Sequence, residues 1–488
     1  MKVVRTIILV VTAFCLIVPA LRTEAGSGDA KSPSLEGTWL GTLKVTPTAS
    51  LRLVFNIQAK PDGSFSGTLD SLDQGATGLP ISRIGVEKDK VTVEASTIGS
   101  RYEGTMNAEG SEISGKWTQG PASRDLLLER VKEAPKPKEF KRPQDPKRPY
   151  PYRDEEVTYR NAKDGVTLAG TLTMPSTGGP FPTVLLITGS GAQDRDETVW
   201  GHRPFLVLAD YLTRRGIAVL RVDDRGVGGS KGDTAQATSE DFARDVLAGV
   251  EYLKTRKEID PRRIGLIGHS EGGTIAPMVT VQSPDVAFIV LMAGTGVTGE
   301  RVREGQIVAG LKIACYDQAR IEAALQSQRR IVEIVKQEAD PELRKQKVRK
   351  AIEDDVAKLD EAKRQAISSS AYVDTQVATA SSQGFRFFIL YDPATALRKV
   401  KCPVLAINGE LDTQVVAKEN LPAIERALRE AGNTRSTVKE LPGLNHLFQT
   451  AKTGAADEYA QIEETMSPLA LETIGGWLAA QGAAAVVE

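Results

Sequence analysis

The chain has 488 residues, enough for more than one domain and for a large core. Hydrophobic residues make up 41% and charged residues 26%, an ordinary globular balance. A net charge of -1 removes the electrostatic case for a nucleic-acid partner.

Residues 1–25 read as a secretory signal peptide. Lys2 and Arg5 form its positive start, Ile7 to Pro19 its apolar core, and Thr23-Glu24-Ala25 a small-residue cleavage site. The apolar run is short for a spanning helix, so no stable membrane insertion is expected once it is removed. The expected location is periplasmic or extracellular. Cys15 leaves with the signal, so Cys315 and Cys402 remain, either as one disulfide or as two unlinked thiols. No cysteine spacing matches a metal site.

Residues 33–131 carry an all-β pattern. Leu40 to Val45, Leu51 to Gln58, Ser64 to Leu69, Val91 to Ala95, Tyr102 to Met106 and Leu126 to Arg130 alternate or are rich in β-branched residues. Turns such as Pro61-Asp62-Gly63 separate them. The spacing predicts a small barrel or sandwich. Gly37-Thr38-Trp39 is similar to the Gly-x-Trp opening of lipocalin-like barrels. Two roles stay open for this accessory domain: a structural appendage, or a pocket or module that serves the substrate. Residues 132–152 hold six prolines among lysines and arginines, and read as an extended, semi-rigid linker.

From residue 153 to about 482 the pattern changes to alternating strands and helices. Two antiparallel strands, 156–159 and 166–174, come first. Strands at 183–188, 217–222, 264–268 and 287–292 then alternate with helices at 205–215, 239–255 and after Ser270. The strands are nearly continuous apolar runs, which predicts a mostly parallel, doubly wound α/β sheet covered on both faces. The alternation stops at Gly294. Ile321, Leu325, Val332 and Val335 recur at helical spacing, as do Val348, Ile352, Val356 and Leu359. Residues 296–392 are therefore expected to form a helical cap insertion. Phe385, Phe387, Phe388 and Tyr391 end it, either lining an acyl pocket or anchoring the cap. The sheet resumes at 403–408 and 437–441, with helices at 421–430 and 468–480.

The chemistry centres on Gly268-His269-Ser270-Glu271-Gly272-Gly273. A buried strand leads into this Gly-x-Ser-x-Gly run and a helix leads out, which is the context of a nucleophile elbow. A serine hydroxyl is a poor nucleophile unless a turn holds it out where a base can reach it. Three histidines are present. His446, in the loop after the last strand, is assigned as the base, with His202 second. His269 is expected to point away from the nucleophile. Asp412 follows a strand in Gly409-Glu410-Leu411-Asp412 and is assigned to orient the imidazole; Glu410 is the local competitor. The oxyanion hole is assigned to the N–H groups of Glu271 and Ser190, with Gly191 as the alternative. Asp194, Arg195 and Asp196 are expected to pair with one another or to line the mouth. The turn Asp223 to Ser230 meets neither the dinucleotide nor the phosphate-loop pattern and reads as structural. No cofactor is expected.

Taken together, residues 155–480 resemble the α/β-hydrolase superfamily. The Asp-x-Arg-Gly-x-Gly-x-Ser turn at Asp223, the elbow and the Gly-x-x-Asp-x-x-Val acid loop carry the resemblance. The run Thr188 to Glu197 resembles a bacterial branch of secreted carboxylesterases, the serine aminopeptidase-like or dienelactone hydrolase-like proteins. Thr188 stands where the superfamily commonly has histidine. The resemblance implies hydrolysis of a small-molecule ester through Ser270, Asp412 and His446. A peptidase, a thioesterase or acyltransferase on the same triad, and an inactive binding protein are the alternatives.

Overall fold

The computed structural model describes residues 34–482 apart from 45–49, 75, 96–97, 120–121, 137–140, 360–363 and 365–371. The expected signal peptide, residues 1–25, lies outside the described residues. The chain divides into two compact units. One comprises Met1–Glu139, Gly310–Ile331 and Glu342–Ala380; the other comprises Phe140–Ala309, Val332–Pro341 and Ser381–Glu488.

Among the described residues the first unit holds nine strands: β1 (Gly37–Lys44), β2 (Ser50–Ala59), β3 (Phe65–Ser71), β4 (Ala76–Pro80), β5 (Arg83–Glu87), β6 (Lys90–Ala95), β7 (Ser100–Met106), β8 (Glu112–Gln119) and β9 (Ala122–Val131). They form one antiparallel sheet in the order β4-β3-β2-β1-β9-β8-β7-β6-β5. Phe55 on β2 and Trp117 on β8 lie at 6.0 Å between ring centroids, although β1 and β9 separate their strands. The sheet must curl for those rings to meet, so it forms a half-barrel around one core. Gly104 on β7 faces Gly115 on β8, and a Cβ at Gly115 would lie 2.5 Å from the Gly104 Cα.

Trp39 is fully buried in this core. Its Nε1 donates to Leu35 O at 2.9 Å, and the Arg130 guanidinium stacks over its ring at 4.2 Å. Removing so large a buried ring leaves a cavity, so Trp39→Ala is expected to destabilise the half-barrel by ~3–5 kcal/mol. Denaturant unfolding of the full chain, followed by circular dichroism, measures this. An unchanged first transition would show that the half-barrel does not depend on the ring.

The second sheet comprises β10 (Tyr152–Asn161), β11 (Val166–Pro175), β12 (Phe181–Ile187), β13 (Ala218–Val222), β14 (Ile259–His269), β15 (Val286–Met292), β16 (Val404–Gly409) and β17 (Ser436–Leu441). The order is β10-β11-β13-β12-β14-β15-β16-β17. The β10–β11 and β11–β13 pairs are antiparallel and the rest are parallel. The α-helices among the described residues are α1 (Pro204–Thr213), α2 (Ser239–Lys254), α3 (Glu271–Thr280), α4 (Gly299–Ile313), α5 (Gln318–Gln337), α6 (Pro341–Val356), α7 (Tyr372–Ser381), α8 (Gln383–Leu390), α9 (Ala394–Leu397), α10 (Ala417–Glu430) and α11 (Pro468–Ala480). One apolar core holds Leu220, Val250, Leu266, Ile275 and Leu428, and another holds Leu186, Phe205, Ile267, Ile407 and Ile474. Leu266 and Ile267 are neighbours on β14 that point to opposite faces, so both faces of the sheet are covered. This is the α/β-hydrolase fold.

The parallel strands finish in register: Ile187 faces Gly268, His269 faces Met292, Met292 faces Ile407, and Gly409 faces Leu441. Their C-terminal loops therefore emerge at one sheet edge, where open α/β sheets bind ligands.

Residues 141–152 are not the free linker that their composition suggests. The Arg142 guanidinium donates to Ile462 O at 2.9 Å and to Trp200 O and Ala460 O at 3.0 Å. The Gln144 side chain bonds Met466 O at 2.7 Å and Thr465 N at 2.6 Å. Backbone carbonyls far away in sequence hold this segment, and no local hydrophobic pattern announces such partners.

Candidate active site

The elbow is built on close backbone approach. Ser270 has φ +53°, a left-handed conformation that strains an L-residue. A Cβ on Gly268 would lie 2.0 Å from Gly272 O, and one on Gly272 would lie 2.2 Å from Ile187 O. Only glycine fits at either place. Ser270 N donates to Met292 O at 2.8 Å, which ties the turn to β15.

The loop after β16 and the loop after β17 meet beside this turn. Asp412 Oδ1 accepts from Gln414 N at 2.7 Å and Val415 N at 2.8 Å. Its Oδ2 lies 2.7 Å from His446 Nδ1, and both side chains are buried. The side-chain Oδ1 of Asn445 accepts from Leu447 N and Gln449 N and so shapes the loop that carries His446. Glu410 instead accepts from Gly443 N at 3.0 Å, a structural contact.

The donors expected for an oxyanion hole belong to the start of α3 and to the loop after β12. Glu271 is the first residue of α3, so its N–H opens the helix with no acceptor four residues back. The N–H groups of Ser190 and Gly191 bond no acceptor among the described residues. Gly189 places this loop against the elbow: a Cβ there would lie 3.3 Å from the Ser270 Cβ. Its own N–H is committed to Glu197 Oε1 at 2.6 Å.

Glu197 is the residue that the sequence reading missed. It is buried and itself has φ +53°. Besides Gly189 N, its Oε1 meets His269 Nδ1 at 2.9 Å, while His269 Nε2 lies 2.9 Å from His446 O. A carboxylate and a carbonyl both only accept, so both ring nitrogens of His269 must donate and the imidazole is cationic. Burial opposes that charge, but the Glu197 carboxylate outweighs it and raises the His269 pKa above its usual value. One buried ion pair thus ties together the Gly189 loop, the elbow and the His446 loop. The hint in the sequence was His269 itself, a histidine next to Ser270 but expected to turn away from it, which needs a partner.

The clamp gives a direct expectation. In Glu197→Gln the carbonyl oxygen can still serve Gly189 and a neutral His269, but Nε2 of His269 then turns a lone pair to His446 O. Misplacing catalytic groups by about an ångström costs on the order of 100-fold, so kcat/KM is expected to fall ~100-fold. Steady-state ester kinetics on the folded variant measures it, and a change under threefold would show that the three loops hold without the clamp.

The remaining polar groups settle into structural roles. Asp194, Arg195 and Asp196 do not pair with one another. Arg195 spans Asp223 at 2.8 Å and Glu156 at 2.5 Å, Asp196 pairs with Arg221, and Asp194 Oδ1 accepts from Asp196 N and Thr198 N. Strand and turn charges that lie far away in sequence outcompete the adjacent ones. Thr188 donates to Asp224 at 2.8 Å, and burial pushes the Asp224 carboxyl up to about 8. Glu271 turns its carboxyl to Ser239 Oγ at 2.6 Å, in a small cavity under the elbow that Asp224 also lines. His202 sits between Thr465 Oγ1 and Tyr459 O, both at 2.9 Å, and burial pushes its pKa down to about 4. Cys315 and Cys402 are free thiols. No group of three or more metal-ligating side chains is present among the described residues.

Fold and site together define an α/β-hydrolase with a serine elbow. Residues 164–440, more than half of the chain, match the X-Pro dipeptidyl-peptidase (S15) family. The chain belongs to that family. It is 27% identical over 284 residues to esterase EstD of Thermotoga maritima, covering 58% of each protein. It is 34% identical over 146 residues to esterase FrsA of Yersinia enterocolitica, covering 30% of this chain and 32% of that one. The chain thus spans between 32% and 58% of the length of these relatives. Among solved structures it aligns with the Pyrococcus furiosus esterase Pf2001 at 17% identity and a TM-score of 0.40, covering 68% of this chain and 91% of that one.

Proposed function

We propose that this protein hydrolyses carboxylic esters by way of an acyl-enzyme. Ser270 Oγ attacks the acyl carbon and His446 Nε2 takes its proton. Asp412 holds the imidazole in the tautomer with its proton on Nδ1 and stabilises the cation that forms. The carbonyl oxygen gains a negative charge, which the Glu271 N–H and an N–H of Ser190 or Gly191 receive. His446 then protonates the departing alkoxide. Water, activated by the same histidine, attacks the acyl-enzyme and releases the acid and Ser270. The observation that carries this reading is the 2.7 Å contact between Asp412 Oδ2 and His446 Nδ1, in loops that share a sheet edge with Ser270. EstD and FrsA, both named esterases, support it.

A second reading, an aminopeptidase-like activity on the same triad, draws on the family's description. Two carboxylates were the candidates to hold a substrate amine. Glu271 is turned inward to Ser239 and Asp194 is used by its own turn, so neither is free for that task. The test offers the chain from Gly26 p-nitrophenyl esters from acetate to palmitate, beside aminoacyl and X-Pro p-nitroanilides, with fluorophosphonate labelling as a probe of a reactive serine. Ester cleavage with labelling is the expected result. Anilide cleavage without ester cleavage would move the assignment to a peptidase.

A further inference from the structure

Helix α8 turns Gln383, Arg386, Phe387 and Leu390 to one side, at the i, i+3, i+4, i+7 spacing of a single helix face. Gln236 and Thr238, just before α2, stand opposite. Between them, with Tyr391 at the end, lies a groove of about 450 Å³. That volume falls within the ~300–1,000 Å³ of small-molecule sites. Its walls are largely apolar: Phe387 and Tyr391 stack at 5.2 Å, and Leu390 is 45% exposed.

Arg386 is the only cation among the lining residues. Among the described residues it makes no ion pair, and its Nε is shut off from solvent with no acceptor. Arg398, by contrast, meets Glu430 at 2.6 Å. A partly desolvated guanidinium without a counter-ion carries a penalty that an anionic ligand relieves. Guanidinium and carboxylate also fit each other's geometry.

One wall of the groove is tied through α2 to the elbow. Thr238 caps α2, and Ser239, the first residue of that helix, donates to the carboxyl of Glu271, next in sequence to Ser270. Gly384 packs against Ala237, where a Cβ would lie 3.0 Å from Ala237 O, so the two walls are fixed to each other.

We infer that this groove takes a carboxylate-bearing arm of the ester substrate, with Arg386 gripping the carboxylate and Phe387, Leu390 and Tyr391 lining the path of the chain that leads to it. The inference rests on the ester-hydrolase reading and names its substrate class: hemiesters of dicarboxylic acids and other esters with a remote anion.

The test compares p-nitrophenyl hemiesters of dicarboxylic acids, from succinic to sebacic, with the neutral monocarboxylic esters of equal length. The full chain is assayed beside Arg386→Gln and Arg386→Lys. At one or more lengths the wild type is expected to prefer the anionic ester. Arg386→Gln is expected to cut that preference by about 10-fold or more, since a charge-assisted hydrogen bond is lost, and Arg386→Lys to keep part of it. No preference at any length, or equal losses on both series in Arg386→Gln, would overturn the groove's assignment while leaving ester hydrolysis intact. A parallel thermal-shift titration with the free dicarboxylates separates the two claims. Stabilisation of the wild type but not of Arg386→Gln, in a chain that cleaves no ester, would support the groove and overturn the hydrolase reading. No shift in such a chain would overturn both.

Discussion

Ser270→Ala is expected to abolish ester turnover, with kcat falling by about 10⁶-fold and the protein remaining folded. Loss of the nucleophile in a serine triad costs that much, because the other triad members then have nothing to activate. The fold should not notice the change. The Ser270 hydroxyl bonds no partner among the described residues, so alanine removes one oxygen and leaves no orphaned group behind. The backbone strain at φ +53° is the same for alanine as for serine, and the glycines that permit the turn are untouched. The measurement is p-nitrophenyl ester turnover and fluorophosphonate labelling, with thermal melting as control. More than about 1% residual activity in a pure preparation would mean that another group attacks the acyl carbon, and the assignment of the elbow would fall.

Sheet edges were easy to read because burial leaves a simple mark. Strands β12 to β16 are largely apolar on both faces and appear as nearly continuous apolar runs. Parallel strands of this kind open their loops at one edge, which is why the sequence points to Ser270, Asp412 and His446 as one group. The half-barrel was harder. β4, β5 and β8 were missed, and each carries glycine or proline where alternation should show: Gly78 and Pro80, Gly85, and Gly115. Gly115 is there because the β7–β8 contact leaves no room for a Cβ, so the close packing that holds the strand also hides it.

What stayed hidden in the site was polar and non-local. Glu197 lies 72 residues from His269, and His269 lies 177 from His446. Periodicity reports which face of an element is buried; it says nothing about which buried carboxylate meets which imidazole. The same blindness turned Arg142 into a solvated linker residue and paired Asp194, Arg195 and Asp196 among themselves. Charged side chains in loops choose partners by three-dimensional proximity, and a sequence reading sees only the neighbours along the chain.

The sharpest test of the acid assignment is Asp412→Asn, for which kcat is expected to fall by about 10⁴-fold. Two backbone donors, Gln414 N and Val415 N, converge on Oδ1 of Asp412. In the asparagine variant those donors pin the amide oxygen at that position. The amide nitrogen must then face His446 Nδ1 and donate to it. Nδ1 becomes an acceptor, the imidazole proton moves to Nε2, and the nitrogen that should take the proton from Ser270 already carries one. The loss is therefore in kcat, with KM little changed, and the fold is retained because every hydrogen bond of the carboxylate has an isosteric replacement. Glu410→Gln serves as the counterpart. Glu410 holds only Gly443 N, so its variant is expected to stay within about threefold of wild type. A mild Asp412→Asn beside a severe Glu410→Gln would transfer the orienting role to Glu410 and would require the acid loop to rearrange when substrate binds.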